Sequence, residues 1–208
     1  MTTYGQALDR LQTELARHSP EVVAVRSGAR RIGEDRLQVR CLGRDYRIDF
    51  PDGEVSTADG EPIDEHLAIL LLLYLIEAGG GPLQDHWIAF EQISGGAGYS
   101  GSFRGRVLGP LLRTFGSHPQ ALCAAAESLD AAPLAMGDAA VSIPALPRVP
   151  IAIVLWAGDD EFAPSASVVF DASVEGYLDA EAVTVLAELA TRRMIEAARG
   201  GPSEGDTP

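Results

Sequence analysis

The stretch from residue 146 to 171, LPRVPIAIVLWAGDDEFAPSASVVFD, constrains the fold more than any other part of the chain. Val149 to Trp156 is a run of mostly β-branched and bulky apolar residues, and a second apolar run, Val168 to Phe170, follows it. Between them Gly158-Asp159-Asp160-Glu161 and Pro164-Ser165 supply turn chemistry, which predicts a β-hairpin with an acidic tip. Leu146-Pro147-Arg148-Val149-Pro150 leads into it, and proline, lacking a backbone N–H, belongs at a strand start or edge. A strand so continuously apolar is expected to be buried on both faces, in the centre of its sheet.

The other elements follow from hydrophobic period. Leu8, Leu11 and Leu15 recur at helical spacing in Tyr4 to His18, a run that Ser19-Pro20 ends. Glu21 to Arg26, Arg36 to Leu42 and Tyr46 to Phe50 largely alternate apolar and polar residues between Gly28, Gly33 and Gly43, as an antiparallel meander would. In the second of these, Leu37, Val39 and Cys41 face one side and Arg36, Gln38 and Arg40 the other, a polar face that is solvated or receives an anion. Asp64 caps a helix through HLAILLLLYLIEA, which is apolar nearly all round and so belongs at the centre of the core. His66, in its first turn, reads as a capping or packing residue.

Val107 to Phe115, Pro119 to Leu129 and Ala180 to Arg199 read as further helices, and Ala139 to Ile143 as a short strand ahead of the hairpin. The expected class is α+β: one domain over residues 1–199, with 200–208 as a disordered tail. An antiparallel or mixed sheet, drawn from the meander and the hairpin together, is expected to pack on the buried central helix and the others.

Length and charge bound the function. The 208 residues suffice for a single core without disulfides or metals. A formal net charge of -14 argues against nucleic acid and anionic membrane as partners, because both are bound by cations neutralising phosphate. Residues 1–50 hold nine arginines and seven acids, so the negative charge lies in the remainder. The absence of lysine removes Schiff-base chemistry. Cys41 and Cys123, far apart and without a C-x-x-C partner, cannot supply a zinc or iron–sulfur site from this chain alone, and each is expected to be a free thiol. The longest apolar run, Leu67 to Ile76, is short of the ~20 residues of a membrane helix, and no secretory signal opens the chain, so a cytoplasmic location is expected.

The chemistry-bearing stretch is HWIAFEQISGGAGYSGSF, residues 86–103, followed by Arg104 and Arg106. Trp87, Ile88 and Phe90 read as a short strand, and Gly95, Gly96, Gly98 and Gly101 among serines as a loop whose backbone N–H groups can approach an anion. The spacing is neither a Walker motif nor a dinucleotide fingerprint, and a plain connecting turn is an equal reading. Three functions are weighed. A binding or accessory protein would hold a small anionic metabolite or cofactor between this loop and the acidic tip, using Trp87, Glu91, Gly95, Gly96, Gly98, Tyr99, Ser102, Phe103, Arg104, Arg106, Trp156 and Phe162. A hydrolase or lyase, metal-assisted or acid–base, would use Asp159, Asp160 and Glu161, with His86 and Asp171, adjacent carboxylates that divide acid and base roles or bind a hard metal such as magnesium. An interaction module would dock a redox partner through an edge strand or the final helix. The sequence names no particular cofactor.

WIAFEQISGGAGYSGSFRGRV, followed by GDAAVSIPALPRVPIAIVLWAGDDEFAPSASVVFDASVEGYLDAEAVTVLAEL, resembles domain of unknown function family 3786. The resemblance covers residues 4–198 in order and is most specific at LPRVP and GDDEFAPSA. It implies an uncharacterised prokaryotic protein of mostly anaerobic bacteria and archaea, some relatives of which add an iron–sulfur domain not found in these 208 residues. It brings no catalytic residues with it.

Overall fold

The computed structural model describes residues 3–200; the tail expected at 200–208 lies, beyond Gly200, outside the described residues. The class is α+β, with all strand pairs antiparallel. Two sheets are formed rather than the single one expected. The first is the meander β1 (Arg30–Arg31), β2 (Arg36–Cys41), β3 (Arg44–Asp49) and β4 (Val55–Thr57), in that order. The second holds β5 (Trp87–Ala89), β6 (Ala132–Pro133), β7 (Ala139–Leu146), β8 (Val149–Trp156) and β9 (Ser165–Asp171) in the order β5-β9-β8-β7-β6. The sheets touch where Leu42 N–H donates to the Ala145 carbonyl at 3.0 Å. The ladder cannot run on there, because Leu42 lies in a turn at φ 49° and the β7–β8 register shifts between Pro144 and Leu146.

The hairpin is as expected, and β8 is the central strand of its sheet. Val149, Ile151, Ile153 and Leu155 join the main core. On the opposite face Ala152 and Val154 are also buried, but outside that core cluster. Part of their cover is the chain before β7: a Cβ added to Gly137 would lie 2.8 Å from Val154 Cγ1.

Two segments expected as strand and loop are helical. Helix α1 (Thr3–Leu15) is followed by α2 (Pro20–Ser27), where Glu21 to Arg26 was expected as the first strand. Its valines satisfy a strand pattern, yet the segment has Pro20 and Glu21 in the first turn, Arg26 in the last and Gly28 at φ 74° as its C-terminal stop. Val23, Ala24 and Ser27 then fall on one buried stripe. The glycine-rich segment is likewise α4 (Gly96–Phe103), running on through a wider π turn (Arg104–Leu108) into α5 (Gly109–Phe115). Pro110, which has no N–H to give, enters α5 directly after that wide turn.

Helix α3 (Glu65–Glu77) is the buried central helix, capped by Asp64, which accepts the His66 N–H at 3.0 Å. Tyr74 near its end donates to the Ser27 carbonyl and accepts Arg148 N–H at 3.1 Å, fastening α2 and the β7–β8 turn to it. Helices α6 (Ala121–Ala126) and α7 (Ala180–Ala198) close the core. Arg193 of α7 reaches the first sheet, donating to the carbonyls of Cys41 and Leu42 and to the Tyr46 hydroxyl.

Candidate functional site

The acidic tip is a turn built by its own aspartate. Asp159 accepts the N–H groups of Phe162 at 2.7 Å and Glu161 at 2.9 Å, and these bonds hold its carboxyl below the usual range. Asp160 and Glu161 are exposed, as are Phe162 at 69 % and Trp156 at 40 %. The tip borders a cleft of about 400 Å³ with Gly116 and Ser117, at the far end of α5 from the glycines.

His86 and Asp171 lie at the other end of the sheet. Trp87 pairs with Asp171 and Trp156 with Ser165, so six residues of β9 separate the two ends, about 20 Å at the strand rise. The carboxylates considered for acid–base work, and the two tryptophans considered as walls of one pocket, are therefore not brought together. Asp171 has a structural partner set: it is 3 % exposed and accepts Ser173 N–H at 2.9 Å and Gln84 N–H at 3.0 Å. Burial opposes its ionisation, but the backbone donors outweigh it and hold the pKa below the ordinary value. His86 contributes its carbonyl, which accepts Ala172 N–H at 2.8 Å.

The glycine-rich helix uses its residues differently from a phosphate loop. Gly95 stands before it at φ 80°, and Gly96 is pressed on the Phe90 carbonyl, 2.1 Å from where a Cβ would be. Phe103 is core, stacked on Phe90 with ring centroids 4.0 Å apart and edge-on to Phe170. The Ser94 N–H, at the mouth of the helix, is already given to Glu175 at 2.7 Å. Tyr99 donates to Glu181 at 3.2 Å and Arg106 is ion-paired with Glu188. Two positions apart on a helix, Arg104 and Arg106 do not face one another and cannot close on one ligand group. Gly98, Ser102 and Glu91 are exposed, and Trp87 is half-buried. Cys41 is sealed in the core, its thiol pushed up to about 12 by burial, which leaves it no thiolate to react.

Clefts elsewhere differ in charge. One of about 530 Å³ lies between the end of α3 and the start of α7 and includes Glu77, Glu175 and Asp179 but no cation among the described residues. Glu175 holds Ser94 N–H and Asp179 caps α7 through Ala182 N–H, so two of its three carboxylates are already engaged. Along the polar face of the first sheet the arginines pair off: Arg36 with Asp49 at 2.8 Å, Arg40 with Asp130 at 2.6 Å, and Arg30 with Gln38 at 2.6 Å.

Arg47 of β3 is different. Its Nε is buried and has no hydrogen-bond partner, and the side chain forms no ion pair among the described residues. It lines a cleft of about 380 Å³ bounded by α1, β3, β4, the loop at 60–63 and the start of α3. Leu8, Val55, Ile63 and Ala68 form its apolar wall, and Glu54 and Glu65 are also in its lining. Gly60 lies over the guanidinium, which would be 3.0 Å from a Cβ at that position. Strand alternation puts Arg47 on the polar face of β3, so its direction was readable from sequence; its lack of a partner was not, since that depends on which acids pair with its neighbours. Among the described residues no group of three or more His, Cys, Asp or Glu could hold a metal ion, and no helix is long and apolar enough to cross a membrane.

These features define an α+β protein with two antiparallel sheets around a buried helix and an arginine-bearing cleft on the smaller sheet. The chain belongs to the family described as domain of unknown function DUF3786, whose model matches residues 19–193. The matched span contains Arg47, Glu54 and Glu65, while Leu8 and Gln12 of the same cleft precede it. No curated protein and no solved structure matches the chain.

Proposed function

We propose that the protein binds a small carboxylate-bearing ligand in the cleft between α1, the first sheet and α3, with Arg47 gripping the acid group. The observation that carries this reading is the Arg47 guanidinium, whose Nε is withdrawn from water without a partner. A buried charged donor left unpaired costs on the order of 1–3 kcal/mol or more, and a carboxylate presents two acceptor oxygens that match the guanidinium fork. The cleft volume of about 380 Å³ is within the ~300–1,000 Å³ of small-molecule sites. The anionic-ligand reading thus moves from Arg104 and Arg106 to Arg47. An acid–base alternative would run on Asp160 and Glu161, since Asp159 is committed to its turn.

Isothermal titration and thermal-shift measurements with a panel of small carboxylic acids test the reading. At least one acid is expected to bind and raise Tm. Arg47→Met should abolish the binding, and Arg47→Lys, which keeps the charge but not the fork, should weaken it by about tenfold or more. Equal binding in Arg47→Met would remove the assignment.

A further inference from the structure

We infer that the ligand of the Arg47 cleft is a zwitterion, an aliphatic amino acid or short peptide whose carboxylate meets Arg47 and whose ammonium meets Glu54 and Glu65. The inference rests on the carboxylate reading above and goes further, to the second charge of the ligand. Among the described residues four acidic or basic side chains line the cleft: Arg47, Asp49, Glu54 and Glu65. Asp49 is neutralised from outside by Arg36 at 2.8 Å. Glu54 and Glu65 have no side-chain hydrogen bond or ion pair among the described residues, and neither is paired with Arg47. One unpaired cation and two unpaired anions thus border the same volume without contacting each other.

That arrangement discriminates by charge. A simple carboxylate would gain Arg47 but bring its charge towards two glutamates; a simple amine would gain the glutamates but face the guanidinium. A molecule carrying both groups satisfies both charges, and an amino acid carries them on one Cα while a short peptide carries them at its two termini. Leu8, Val55, Ile63 and Ala68 form an apolar lining suited to an aliphatic body and provide no donor or acceptor from their side chains. The glutamates are exposed and come from separate elements, the turn before β4 and the first position of α3, so they can be neutralised singly without disturbing the core.

Compounds sharing one carbon skeleton separate the contributions. Titration of the full chain with L-leucine, 4-methylpentanoate, 3-methylbutylamine, N-acetyl-leucine and leucyl-leucine is expected to give binding of leucine or leucyl-leucine at least tenfold tighter than of 4-methylpentanoate or N-acetyl-leucine, and no binding of the amine alone. Preference for leucine assigns the free amino acid and preference for leucyl-leucine the peptide; both support the zwitterion. Glu54→Gln combined with Glu65→Gln should erase the tenfold gap while leaving 4-methylpentanoate binding intact or improved, with an unchanged circular dichroism spectrum. Binding of 4-methylpentanoate as tight as leucine and leucyl-leucine, or an unchanged gap in the double variant, would overturn the zwitterion and leave the Arg47 carboxylate site standing. Binding of none of the five compounds overturns the zwitterion, and the broader acid panel then decides the carboxylate reading separately.

Discussion

Asp171 illustrates how a residue suited to catalysis by type is assigned to structure by its surroundings. Its carboxylate is the joint between β9, the segment 84–86 before β5 and the short 3-10 helix Ala172–Gly176. Replacing it by alanine leaves two backbone donors without acceptors, a loss of about 3 kcal/mol by the usual cost of buried unpaired groups. Chemical denaturation of Asp171→Ala checks this, and a loss below about 0.5 kcal/mol would contradict it. The pH dependence has a definite sign. Because the folded-state pKa is held below the ordinary 3.8, the contribution is complete above that value and is lost as pH falls through the folded pKa. Wild type should therefore lose more stability than Asp171→Asn on acidification below about pH 4. Arg47 is the converse case: an arginine on a strand is ordinary by type, and what sets it apart is a buried Nε without a partner at the edge of a cleft.

At the level of elements, the glycine-rich helix separates two uses of one residue. Gly95 and Gly96 are demanded by a positive φ and by contact with the Phe90 carbonyl. Gly98 and Gly101 are not: a Cβ at either meets nothing within 4 Å, and both are on the exposed side of a regular helix. Glycine there lowers helix stability by about 0.5–1 kcal/mol each relative to alanine. The double variant Gly98→Ala, Gly101→Ala should accordingly be more stable by about 1–2 kcal/mol, read as a Tm rise of several degrees. A fall in Tm would mean that this face is packed rather than free. The two secondary-structure differences share one cause. Glycine composition in one segment and valine composition in the other favour loop and strand locally, whereas caps and burial of one stripe, with the Phe90–Phe103–Phe170 cluster for α4, favour helix, and packing outweighs propensity.

For the whole molecule, the formal net charge of -14 opposes compaction. Arg36, Arg40 and Arg106 are each paired with a carboxylate from another element, and most carboxylates lie on the surface, where mobile ions screen them. Raising sodium chloride from about 10 to 200 mM shortens the Debye length from ~30 Å to under 10 Å, so Tm should rise across that range. A falling Tm would indicate that the cross-element ion pairs contribute more than the overall repulsion costs.

The sequence by itself determined the central hairpin, the buried helix capped by Asp64, the inward and outward faces of β2 and the α+β class, because each is written in a local period of apolar residues or a local cap. Only the tertiary structure decided that the strands divide into two sheets, that 96–103 is helical, and that the acidic tip and the glycines lie apart. It also decided that the Arg47 Nε is buried without a partner. These are matters of which distant segment satisfies a given N–H, carbonyl or charge, and a one-dimensional pattern does not contain that pairing.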